Sequence, residues 1–60
     1  MMMTDHFDLH GVASVYVERA EYKLGDVTTY EIGVLVTFSD GRKLDMALMS
    51  GEPISLRGLE

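Results

Sequence analysis

Sixty residues with ten acidic and five basic side chains carry a formal net charge of −5, which argues against direct binding to the phosphates of a nucleic acid. A chain this short buries only about 60% of its unfolded surface when it folds alone, so its marginal core calls for a disulfide, a metal or a second subunit. There is no cysteine; disulfides are excluded, and the absence fits a reducing compartment.

The opening Met1-Met2-Met3-Thr4-Asp5-His6 has neither the basic stretch nor the apolar run of a secretory signal, and nowhere does the chain reach the ~20 apolar residues of a membrane span. A cytoplasmic protein without membrane contact is the expectation. Residues 1–4 are expected to be disordered, with nothing to tie them down, and residues 5–60 to form a single β domain.

Asp5-His6-Phe7-Asp8-Leu9-His10 is the one polar cluster with ligand-like spacing. In an extended chain His6, Asp8 and His10 share a side, and two imidazoles with a carboxylate suit zinc, nickel or iron. Three ligands within five residues usually need help from elsewhere, so a metal-dependent module ranks below the other readings.

Between Val12 and Leu24, the β-branched and aromatic residues Val12, Val15, Tyr16, Val17 and Tyr22 favour a strand. A helix is the competing assignment, but Val12, Tyr16, Arg19, Ala20 and Lys23, spaced three or four apart, make no apolar stripe. The strand's phase slips. Val15 and Val17 share one side while Ala20, Tyr22 and Leu24 share the other, which predicts a bulge or bend near Glu18-Arg19 if both sets are to point inward. Leu24-Gly25-Asp26 then supplies a turn.

From Val27 to Ser39 the apolar alternation is strict: Tyr30, Ile32, Val34, Val36 and Phe38 recur at a period of two, the mark of a strand with one buried face. Leu44, Met46 and Leu48 continue it beyond Ser39-Asp40-Gly41. A two-residue Asp40-Gly41 loop would set Phe38 against Lys43 and Val36 against Asp45, mixing oil with charge. A three-residue loop with Gly41 left-handed pairs Phe38 with Arg42, Val36 with Leu44, Val34 with Met46 and Ile32 with Leu48. These apolar residues are expected to be the most buried of the chain.

Gly51-Glu52-Pro53 ends the third strand, since proline cannot donate to a ladder, and Ile54 to Leu56 is read as a short last strand at an edge. The fold class is therefore all-β: a small antiparallel meander of three to four strands, packed as a dimer or oligomer or curled into a small barrel. The opposite face of the hairpin shows a smooth centre of Gly33, Leu35, Ala47 and Met49 in a polar frame, and is read as an interface with Tyr16 and Tyr22 as further contact residues. Homo-oligomerisation follows from two faces that both favour burial. Leu35→Glu is expected to weaken self-association while sparing the sheet.

No nucleophile setting, carboxylate pair in a cleft or phosphate-cradling glycine loop is present, so no enzymatic role and no cofactor are expected. In size, acidity and lack of cysteine the chain resembles the small inhibitors made by viruses of bacteria. The leading functional expectation is a non-enzymatic acidic binding protein, acting as a homo-oligomer, that occupies or inhibits a partner protein with a basic surface, such as a nucleic-acid-binding groove. The alternative is an oligomer that sequesters a small anionic ligand such as a nucleotide with Arg42, Lys43 or Arg57.

Overall fold

The computed structural model describes residues 3–58, and three antiparallel strands form its only sheet among them. β1 spans Val12–Leu24, β2 Val27–Phe38 and β3 Lys43–Ser50, in the spatial order β1-β2-β3. Met1 and Met2, half of the segment expected to be disordered, lie outside the described residues; Thr4 has no regular structure and Met3 is 87% exposed.

Each hairpin follows from its turn residues. At the first, Leu24 opposes Val27 across Gly25-Asp26, and Gly25 has a φ of 63°. Positive φ at the first central residue alone is the pattern of a type II′ turn, whose twist matches that of the flanking strands. At the second, the amide of Gly41 donates to the Phe38 carbonyl at 2.9 Å and that of Phe38 to the Arg42 carbonyl at 2.8 Å, with Gly41 at a φ of 93°. This is the three-residue loop expected from the side chains, and the ladder runs through Val36–Leu44, Val34–Met46 and Ile32–Leu48 as that loop requires. Asp40 stiffens the tip, accepting from the Arg42 amide at 3.0 Å and from its Nε at 2.7 Å, while the guanidinium lies 5.3 Å from the Phe38 ring centroid. Gly41→Val should destabilise the protein by roughly 1–2 kcal/mol or more, since a side chain at positive φ crowds the backbone and β-branching worsens it. Thermal melting followed by circular dichroism would measure the loss.

Opposed residues share a face, so the two registers sort every strand residue. Face A carries two apolar rows across all three strands, Val15–Val36–Leu44 and Val17–Val34–Met46, with Ile32–Leu48 beyond them. Face B carries Tyr16, Ala20, Tyr22, Gly33, Leu35, Ala47 and Met49.

The irregularity in β1 lies between Val12 and Ser14, not near Glu18-Arg19, and the ladder is unbroken from Ser14 to Leu24. Ala20, Tyr22 and Leu24 need not be turned onto the side of Val15 and Val17, because face B holds apolar residues of its own. The expected fourth strand is absent: residues 54–56 form no ladder. Instead the chain after Ser50 lies beside the Arg19–Ile32 end of face A, where Arg19 Nη1 on β1 donates to the Ile54 carbonyl at 2.9 Å. With Pro53 and Ile54 set against Tyr30 and Ile32, this strap roofs a cleft of about 320 Å³.

The sheet is open, not a barrel; β1 and β3 meet only through β2. The radius of gyration is 14.3 Å, against about 10 Å for a compact domain of this length. Burial reflects this flatness. Ile32 and Val36, both on the central strand, are buried at 2% and 4% exposure, and Ile32 also lines the cleft beneath Pro53 and Ile54. Val34, Phe38 and Met46 are half-buried, while Leu44 and Leu48 remain exposed although they were expected in the core. They sit on the edge strand β3, where no strand flanks them on the outer side.

Candidate functional site

Face B is built by two registers acting together. The two-residue turn at Gly25-Asp26 sets Tyr16 against Leu35 and Glu18 against Gly33, and the loop at Ser39-Asp40-Gly41 sets Gly33 against Ala47 and Leu35 against Asp45. All six interface residues read from the sequence therefore share one face. Tyr16 and Tyr22 are 60% and 54% exposed and Met49 is 65% exposed, while Leu35 and Gly33 on the central strand are half-buried. The surface has a low apolar floor, with phenol-bearing side chains rising along β1 and a thioether along β3. Tyrosine is a favoured contact residue in such a setting, combining a large rigid area with a polar tip.

Charge frames that floor unevenly. Glu18, Glu31 and Asp45 share face B with a single cation, Lys43. Three carboxylates against one ammonium leave a net of −2 on the strand residues of this face. On face A the balance reverses: Arg19 and Lys23 on β1, with Arg42 opposite Phe38, stand against Glu21. The overall acidity of the chain is thus displayed mainly on face B and in the segments outside the sheet.

No protein-family model, curated protein or solved structure matches the chain. The residues themselves must carry the functional argument.

Gly33 lies at the middle of this floor with an ordinary strand conformation, and a Cβ added there would meet only the Glu18 carbonyl oxygen, at 3.8 Å. Since that is a normal contact, Gly33→Ala should raise stability by about 0.4–1 kcal/mol by restricting the unfolded chain. Chemical denaturation would show the midpoint moving up with the slope unchanged.

The structure does not gather the basic residues read as an anion site. Arg42 and Lys43 are consecutive on an extended chain and point to opposite faces. Arg42 is already engaged by Asp40. Arg57 is exposed on the chain beyond β3. A second cleft of about 300 Å³ lies beside the hairpin tip, bounded by His10, Gly11, Phe38, Ser39, Asp40 and Arg42. Its cation is the one held by Asp40, so it presents no uncompensated positive charge to an anion.

Of the residues read as metal ligands, His6 and Asp8 meet, with Nε2 2.9 Å from the carboxylate and side chains 81% and 66% exposed. His10 does not complete a set with them, and no group of three ligating side chains forms among the described residues. Nor do these residues include a helix long and apolar enough to cross a membrane.

One tether escaped the sequence reading. The Gly11 carbonyl accepts from both the amide and the Oγ of Ser39, at 2.7 and 2.9 Å, and so fastens the N-terminal segment to the β2–β3 tip. Gly11 has a φ of 75°. Glycine at this position was the available signal, since it takes a positive φ without steric cost.

Proposed function

We propose that the protein is a non-enzymatic, homo-oligomeric binding module that occupies a basic surface of another protein through face B. One observation carries the reading: Tyr16, Tyr22, Leu35 and Met49 converge on a single acid-framed face, three of them more than half exposed. Aromatic and thioether side chains make adaptable contact area, and a surplus of carboxylates steers the face toward cationic partners and away from anionic ones. A nucleic-acid-binding groove is the kind of surface such a face blocks, because its basic residues are spaced to receive negative charge. The engaged state of Arg42 and the separation of Lys43 from it favour this over the capture of a nucleotide.

The test is affinity capture from the lysate of the native host with the wild type and with Tyr16→Ala/Tyr22→Ala as paired baits. A partner with a basic surface should be retained by the wild type and lost with the double variant. Recovery of a small anionic molecule alone, or equal retention of the partner by both baits, would overturn the proposal.

A further inference from the structure

We infer that face A is the seat of a two-fold homodimer, in which a second copy of the chain supplies the layer that this sheet lacks. The inference deepens the reading above, because it assigns self-association to one face and leaves the other for the partner. Across face A the rows Val15–Val36–Leu44 and Val17–Val34–Met46 contain no polar side chain. The strap through Pro53 and Ile54 roofs the end of this face near Ile32 and Arg19. Val15 and Leu44 are left 56% and 37% exposed, at opposite ends of one row.

The surface area argues for a second copy. The chain exposes 5538 Å², whereas a folded monomer of its 6.7 kDa mass exposes about 3,900 Å². The extended segments flanking the sheet account for part of the excess. The excess, about 1,600 Å², leaves room for the ~800 Å² that each partner buries in a standard stable interface. Among the described residues only Ile32 and Val36 are buried, so the sheet has almost no core until face A is covered.

The net charges of the two faces are equal in size and opposite in sign, so it is the placement of the charges that selects the face: Glu18 and Asp45 stand in the central rows of face B, opposite Gly33 and Leu35. Two copies joined through face B would confront six strand carboxylates with two ammonium groups, doubling the three acids and one base of each copy. Two copies joined through face A bring the apolar rows together, with Arg19, Glu21, Lys23 and Arg42 outside those rows. A self-complementary patch closes as a two-fold pair, and sheets stacked in this way lie about 10 Å apart. Both copies of face B then look outward from opposite sides of the sandwich, so the dimer is bivalent.

The sequence contains no cysteine, so single introduced cysteines report cleanly. Met46→Cys and Ala47→Cys are neighbours on opposite faces. A short bismaleimide should join Met46→Cys into covalent dimers and leave Ala47→Cys unlinked, and Leu44→Cys with Asp45→Cys offers the same contrast should either of the first pair fail to fold. The wild type should sediment as a dimer at tens of micromolar, with a melting temperature that rises over about a hundredfold range of concentration. A folded wild-type monomer, a melting temperature independent of concentration, or linking at 47 equal to or above that at 46 would each overturn the inference. No partner protein is in the tube, so a wild-type monomer removes self-association from the proposed function while partner binding through face B keeps its own test.

Discussion

Val34→Asp should abolish folding. Val34 lies on the central strand between Val17 and Met46, and its side chain belongs to the polar-free rows of face A. A carboxylate there has no cation directly opposite on either neighbouring strand, and covering the face removes its water as well. An uncompensated charge in such a place costs several kcal/mol, against a total stability of roughly 3–9 kcal/mol for a chain of this length. Far-ultraviolet circular dichroism should show loss of the β signal under conditions in which Val34→Ile keeps it. A soluble, folded Val34→Asp protein that sediments like the wild type would show that face A is a wet surface.

The adjacent residue should behave in the opposite way. Leu35→Arg is expected to preserve the sheet, because the new guanidinium is placed directly opposite Asp45 and across from the Tyr16 ring, both of which accommodate a cation. Partner binding should fall by at least about 30-fold, corresponding to the roughly 2 kcal/mol of a central contact residue, since a positive charge then meets a basic surface. Titration calorimetry with the captured partner reads the affinity, and sedimentation reads the assembly. If second copies met through face B instead, Leu35→Glu, which adds a fourth carboxylate to that face, would dissociate them and the dimer signal would disappear.

The contrast between positions 34 and 35 shows what can be read from such a chain. Strand β2 was legible because its alternation admits one phase only, and the β2–β3 register was legible because the competing loop length set Phe38 against Lys43. The companion register of β1 was equally available: a two-residue Gly25-Asp26 turn places Leu24 opposite Val27 and hence Tyr16 opposite Leu35. What misled was the assumption that a strand has one apolar side. With apolar residues on both sides of β1, periodicity cannot say which set faces a core, and the bulge was expected near Glu18 when it lies between Val12 and Ser14.

The remaining misreadings have local causes. Arg42 and Lys43 form a basic spot in one dimension only, because consecutive residues of a strand point apart. Ile54 to Leu56 has strand-like composition, yet the ladder ends at Ser50 and the Ile54 carbonyl is taken by the Arg19 guanidinium. A bond between residues thirty-five positions apart leaves no trace in local spacing. Burial at the sheet margin was overestimated for Leu44 and Leu48 because alternation identifies a face without revealing how many strands flank it.

The spatial order β1-β2-β3 makes every sheet neighbour a chain neighbour. Hairpins of this kind close in about 1–10 μs, and a topology dominated by local pairings has no long loop to close before its contacts form. A single sheet can therefore be sampled quickly and lost quickly. For an assembly of this kind the encounter between two chains becomes the slow event, so the refolding half-time should lengthen in inverse proportion as the protein is diluted. In a cell, the rate at which working molecules appear would then depend on how fast the chain is made.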